Sequence, residues 1–315
     1  MKSSEYACGM NSLPDVAISQ NLNFLQPIDW VGMGAIQIPL MLKLSESIIN
    51  VIAKIEVMVS LDLSPSRGIH MSRLYTLVQS LGQSPLTMES LSDLCLKFIE
   101  SQNTQSLLSS AARLRLDFEL PLQRKSLKSG LVSWRVYPVS LFVEQRQNKN
   151  KISLVDLKFL YSSTCPASAA LSRDLNSIHF LNQHDIPSVE VKKAAEFLKN
   201  ETGMIATPHA QRSEAHVQIL VQDSFVFPQI AELIDTLEGS LGTPVQGAVK
   251  REDEQEFARL NGTNLMFCED AVRKLAIALN HEGTVAGYRL QVSHFESLHA
   301  HNAVSILKKN FHFSG

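Results

Sequence analysis

Within eight residues, His294-Phe295-Glu296-Ser297-Leu298-His299-Ala300-His301 supplies three imidazoles and a carboxylate. An imidazole takes and gives a proton near neutrality and also serves as a metal ligand. Glu296 and His299 stand at i and i+3, so they share a face if that turn is helical and can then exchange a proton. Two more clusters carry ligand-type side chains: Cys165 in Ser163-Thr164-Cys165-Pro166-Ala167-Ser168, and His209 in Thr207-Pro208-His209-Ala210-Gln211-Arg212-Ser213-Glu214. Taken singly each has an ordinary reading, since a lone cysteine is more often a small buried hydrophobe and a polar run more often a solvated loop. Lys250-Arg251-Glu252-Asp253-Glu254 reads as a charged helix start, where acids face the positive end of the dipole. Glu269, in Phe267-Cys268-Glu269-Asp270, lies three residues before Val272 and so near an apolar helix face. Carboxylates are rarely placed there unless they are paired or bind something. Basic side chains gather at Gly68–Arg73, with His70 and Arg73, and at Gln123–Gly130, with Lys125 and Lys128.

The elements that must position these groups read as two similar sets. Val51, Ala53, Ile55, Val57, Val59 and Leu61 alternate with Lys54, Glu56 and Ser60, the pattern of a long half-buried strand. Residues 34–40 can be its partner. Helices follow at 72–81 and 88–100, the second behind Thr87 as N-cap, then strands at 111–120 and 131–144. The polar run Gln145–Lys151 reads as a turn or short linker. Beyond it come strands at 152–161 and 215–221, helices at 228–241 and 265–280, and strands at 285–294 and 304–311. The insertion 165–207 interrupts this second set and carries an amphipathic helix at 189–200 behind Ser188. Each half thus runs strand, strand, helix, helix, strand, strand, and the boundary falls between 1–147 and 148–315, with most site residues in the second part.

Composition narrows the function. Of 315 residues, 44% are apolar and 19% charged, a globular balance. Lys plus Arg is 29 against 31 for Asp plus Glu, so a net charge of -2 gives no global field to hold a nucleic acid. The most apolar window, Val31–Leu42, is broken by Gln37 and Pro39 and falls short of the ~20 residues of a membrane span. Residues 1–20 lack the apolar stretch of an export signal. Cys8, Cys95, Cys165 and Cys268 are scattered without a CxxC, which suits a reducing compartment. The expectation is a cytoplasmic protein with no membrane and no nucleic-acid partner.

Together the clusters resemble GTP cyclohydrolase I of type IB, the metal-dependent form of the enzyme that opens folate biosynthesis. The words that carry the resemblance are GIHMSR at 68–73, ELPLQRKSLKSG at 119–130, TCPAS at 164–168, TPHAQRSEA at 207–215, KREDE at 250–254, FCEDAVR at 267–273 and HFESLHAHNA at 294–303. The resemblance implies an α+β chain of two tandem tunnelling-fold modules, antiparallel sheets with paired helices. It implies that GTP and water become 7,8-dihydroneopterin triphosphate and formate through attack of a metal-activated water on guanine C8. By matching motif it places the metal on Cys165, His209 and Glu254, with Zn²⁺, Mn²⁺ or Fe²⁺ all compatible with that donor set, and Cys165 also counts among the catalytic residues. It places the purine anchor on Glu269 and the catalytic pair on Glu296 and His299. Candidates for the triphosphate are His70, Arg73, Lys125, Lys128 and Arg212. It also implies a homotetramer with sites between subunits. Relatives often carry a second cysteine where Ala167 stands. Two other readings remain at this point: the related tunnelling-fold nitrile reductase, whose lysine-rich strand motif RKSLKSG also resembles, and a non-catalytic nucleotide-binding protein of the same fold.

Overall fold

In a computed structural model the described residues are 26–44, 47–62, 68–103, 108–148, 151–184 and 188–313; Cys8 lies outside them. Eight strands, β1 (Ile28–Lys43), β2 (Ile48–Leu61), β3 (Ala111–Lys125), β4 (Val132–Arg146), β5 (Lys151–Thr164), β6 (Ala210–Val221), β7 (Val285–His294) and β8 (Ala303–Lys309), form one sheet. They lie side by side in chain order, and each pairs antiparallel with the next. The alternation read along β2 is the observed one, with Val51, Ala53, Ile55, Val57, Val59 and Leu61 all buried. Ser60, placed by the pattern on the polar face, is buried as well. Its hydroxyl accepts the backbone N–H groups of Ser110 and Ala111 at 3.0 and 3.1 Å, so its burial leaves no group unpaired.

Helices cover one face. Between β2 and β3 lie α1 (Met71–Gln79), a 3-10 turn at Ser80–Gln83, and α2 (Met88–Gln102). Thr87 caps α2 as read, in a reciprocal box with Ser90. Leu91, Leu94, Cys95, Phe98 and Ile99 bury the inner face of α2 against β3 and β4, each large side chain contributing about 1.5–3 kcal/mol. Between β5 and β6 lie α3 (Pro166–Gln183) and α4 (Val191–Lys199). Between β6 and β7 lie α5 (Gln229–Leu241), α6 (Arg251–Thr263) and α7 (Cys268–Asn280). Gly242 ends α5 in the left-handed region at φ 76°, which only glycine adopts cheaply. The opposite sheet face leaves Ile52, Trp134, Val136 and Ile306 exposed. Among the described residues no helix is long and apolar enough to cross a membrane.

The two halves repeat the predicted order, with differences that have physical reasons. β4 ends at Arg146 and β5 begins at Lys151, and the two pair from Val139↔Leu157 to Gln145↔Lys151, so the sheet is continuous on either side of the polar run. Beyond Val139 the two strands part; Pro138 has no N–H to offer a ladder there. A cavity of about 320 Å³ opens between them, lined by Val136, Pro138, Lys158, Leu160 and Glu214 among others. On the helix side the buried Glu238 of α5 pairs with Arg135 and accepts Tyr137 Oη–H at 3.1 Å. Helix α3 is an addition to the predicted set, and α6 begins at the charged helix start read at 250–254 and runs on to Thr263. The N-cap of α4 is Glu190 rather than Ser188, with no side-chain capping bond. The most informative difference is that β5 runs on to Thr164 and β6 starts at Ala210, five residues before the apolar alternation begins. Their inward residues there are Ser163, Gln211 and Ser213, which satisfy one another by hydrogen bonds instead of packing on an apolar core.

Candidate active site

The C-terminal ends of β5 and β7 and the N-terminal ends of β6 and β8 meet at one end of the sheet, where Thr164 pairs with Ala210, Ser213 with His294, and His294 with Ala303. The start of α7 joins them through the bond from Met266 N to Thr164 O, 3.1 Å. Of the sequence-predicted residues, Cys165, His209, Arg212, Glu269, Glu296 and His299 lie at this end of the sheet, as does the β3–β4 hairpin that carries Lys125 and Lys128.

Cys165 follows the last residue of β5 and is the N-cap of α3, with Pro166 in the first turn. Its Sγ accepts the Ser168 N–H at 3.5 Å, so the positive end of the helix dipole faces the sulfur. Cys165 N donates to His209 O at 3.3 Å, which sets the two candidate ligands side by side. The backbone of His209 is held from the other side by Ser168 Oγ, 3.1 Å from its nitrogen. Its Nδ1 lies 2.8 Å from Gln211 Oε1, and Glu296 Oε2 approaches the same nitrogen at 3.9 Å. Glu296 therefore stands beside the imidazole edge that Gln211 already occupies.

Glu269 is the second residue of α7 and is exposed rather than near the buried face, because the helix begins at Cys268 and it is Cys268 that turns inward. The Cys268 thiol donates to Glu269 Oε2 at 3.3 Å, and Ser305 Oγ donates to Cys268 Sγ at 3.1 Å. Burial pushes the Cys268 thiol pKa up, so the group stays a neutral donor to the carboxylate. Behind them His294, 3% exposed, sets Nε2 2.8 Å from Tyr161 Oη with the rings edge to face. Burial pushes the His294 pKa down to about 4, against the opposing pull of the Glu269 charge. Burial also raises the Tyr161 phenol, so this hydrogen bond joins a neutral phenol to a neutral imidazole.

Other predicted residues are not brought to this cluster. Residues 295–302 contain no helical turn, so Glu296 and His299 do not share a helix face; His299 is exposed and stacks on His301 at 4.9 Å between centroids. Glu254 is exposed on α6, and among the described residues no three His, Cys, Asp or Glu side chains gather to hold a metal. The fixed acid of that motif is its neighbour Asp253, which the sequence reading passed over. It is buried and accepts Lys128 N, Ser129 N and Lys250 N at 2.7, 2.9 and 2.8 Å and Ser129 Oγ at 2.5 Å. Burial alone would raise its pKa, but these bonds outweigh it and hold the carboxyl well below the usual range. Asp253 thereby ties the β3–β4 hairpin, which exposes Lys125 and Lys128, to the start of α6. Arg212 is exposed on the sheet face opposite Gln211 and Ser213. His70 and Arg73 are bound through the end of α2, by Gln102 and by Ser101 O, at the other end of the sheet. With about 3.3 Å per residue along β5, that is about 40 Å from Cys165.

An antiparallel meander with helices on one face, ending in a thiol–imidazole–carboxylate cluster, is the architecture of a tunnelling-fold enzyme. The fold is shared with uricase from Arthrobacter globiformis, at TM-score 0.53 and 7% identity over 94% of this chain and 97% of that one. The sequence model of a family described as type I GTP cyclohydrolase FolE2 matches residues 13–305, and the chain belongs to that family. Similar proteins named GTP cyclohydrolase FolE2 include one from Bdellovibrio bacteriovorus, 47% identical over 95% of this chain and 96% of its own, and one from Pseudoalteromonas atlantica, 41% identical over 94% and 95%. That membership favours the cyclohydrolase reading over the reductase and non-catalytic readings.

Proposed function

We propose that this chain is a GTP cyclohydrolase, converting GTP and water to 7,8-dihydroneopterin triphosphate and formate at the start of tetrahydrofolate synthesis. The observation that carries this reading is the gathering of Cys165, His209, Glu269 and Glu296 at one sheet end in a chain of this family. Thiolate and imidazole suit a divalent first-row ion such as Zn²⁺, Mn²⁺ or Fe²⁺, and the backbone bond that makes Cys165 and His209 neighbours supports reading both as ligands. Such an ion, when bound, supplies a nucleophilic water at neutral pH. Glu269 can accept the guanine N1–H and 2-amino group together, a charge-assisted bidentate contact, from an exposed position with one oxygen already oriented by Cys268. Glu296 and His299 move protons to and from the opening ring.

His70 and Arg73 as triphosphate partners belong to a site completed between chains of a homo-oligomer, read as a homotetramer, while Lys125, Lys128 and Arg212 are triphosphate candidates at the same sheet end as Cys165 and Glu254 is read as third donor. Two features support this: the separation of about 40 Å between Cys165 and His70 or Arg73 within one chain, and the exposed Ile52, Trp134, Val136 and Ile306 on the open sheet face. The module boundary at 147/148 and a cytoplasmic location complete the reading. The test is incubation of metal-reconstituted protein with GTP, following formate release and the fluorescent oxidised pterin. Full activity in chelated, metal-free protein would overturn the metal assignment, and absence of formate with any of the three metals would overturn the activity.

A further inference from the structure

Gln211 is 8% exposed and has no direct part in the reaction proposed above, yet both ends of its amide are engaged. Its Nε2 donates to Ser163 Oγ at 2.9 Å, and Ser163 Oγ lies 2.8 Å from Ser213 Oγ, with all three side chains buried. The amide oxygen is then left facing His209 Nδ1 at 2.8 Å, where it can only accept. Glu296 Oε2, 3.9 Å from the same nitrogen, adds a negative charge that disfavours a lone pair there. Two acceptors thus converge on Nδ1, while the His209 backbone is fixed on both sides by Cys165 N and Ser168 Oγ. A neutral imidazole in water prefers its proton on Nε2, so the surroundings have to impose the other form.

We propose that Gln211 is a positioning residue, locked by Ser163 and Ser213, that holds His209 as the Nδ1–H tautomer and so presents an unprotonated Nε2 to a divalent metal. The inference rests on the metal reading for its consequence but not for its geometry. A partner on the far ring nitrogen fixes both the direction of an imidazole ligand and its basicity, and losing such a partner typically weakens metal binding ~10–100-fold.

The first measurement is long-range ¹H–¹⁵N correlation on the metal-free full chain with ¹⁵N-labelled histidine, the His209 signal being identified by its loss in His209→Gln. The proton is expected on Nδ1, and a wild-type His209 protonated on Nε2 would overturn the proposal whether or not any variant folds. The second is Zn²⁺ affinity by competition with a chromogenic chelator at fixed pH. Gln211→Leu should bind ~10–100-fold more weakly. Gln211→Glu, which keeps an acceptor at Nδ1, should stay within a few-fold of wild type. Wild-type affinity in Gln211→Leu with an unchanged melting temperature would overturn the proposal. If His209→Ala leaves Zn²⁺ affinity unchanged, the metal reading fails instead, and the tautomer in the wild-type protein still decides the role of Gln211.

Discussion

His294 links the active-site end of the sheet to stability. Its ring is 3% exposed and hydrogen-bonds Tyr161 Oη, and its pKa is pushed from 6.5 down to about 4 by burial. The unfolded chain therefore binds a proton near pH 6.5 that the folded chain refuses until near pH 4. A depressed folded pKa contributes stability that is fully present above 6.5 and lost as the pH falls through that window. Lowering the pH from 7.5 to 5.0 crosses about 1.5 units of it, worth about 2 kcal/mol at ~1.4 kcal/mol per unit. Other groups titrate over the same range, so the quantity to measure is a difference. Urea unfolding of metal-free wild type and His294→Gln, at equal protein concentration and at both pH values, isolates it, because the Gln amide can still hydrogen-bond Tyr161 but does not titrate. The variant should lose about 2 kcal/mol less than wild type on acidification. Equal losses in the two proteins, or a His294 resonance that titrates near pH 6.5 in the folded chain, would refute the account.

Two further outcomes follow from the site. Glu269→Gln replaces one acceptor oxygen with a donor that opposes the guanine donors, so GTP binding should weaken on the scale of ~1.5–3 kcal/mol per charged hydrogen bond; unchanged GTP affinity by calorimetry at intact metal content would retire the assignment. His299→Ala should keep metal stoichiometry by elemental analysis and cut single-turnover rate ~10²–10⁴-fold, and adding Glu296→Ala should cost little more. A metal-free His299→Ala would make that imidazole a ligand, and losses that multiply would break the coupled pair.

Much of the scaffold was legible because burial on one face writes a period into the chain. The alternation in β2, the inner stripe of α2 and the Thr87 cap are local patterns with local causes, and each holds in the structure. Two helices were read incompletely, α3 not at all and α6 only at its charged start, for different reasons. Leu171, Leu175, Ile178 and Leu181 recur along α3 at helical spacing, so its signal was present, although that stripe is exposed here rather than packed. In α6 the inward residue is the charged Asp253, which no apolar periodicity can reveal.

The strand ends were misread for the reason that makes them a site. Ser163, Gln211 and Ser213 occupy inward positions where alternation demands apolar side chains, and they are tolerated because each hydrogen-bonds the next. A pattern search therefore stops where the chemistry begins: β6 was expected from Ala215, and Gln211 and Ser213, which hold the His209 ring from one side, lie in the five positions before it. Motif content, in turn, identifies chemical types without their distances. TCPAS and TPHAQRS are more than forty residues apart in sequence and adjacent in space, joined through Cys165 N and His209 O. GIHMSR, which the same resemblance assigns to the same substrate, ends up about 40 Å away along the sheet. Residues that share the proposed function but not a place in one chain are what the proposed assembly of several copies would account for, and the sheet, with β1 and β8 at the ends of its order among the described residues, leaves edges on which such an assembly can form.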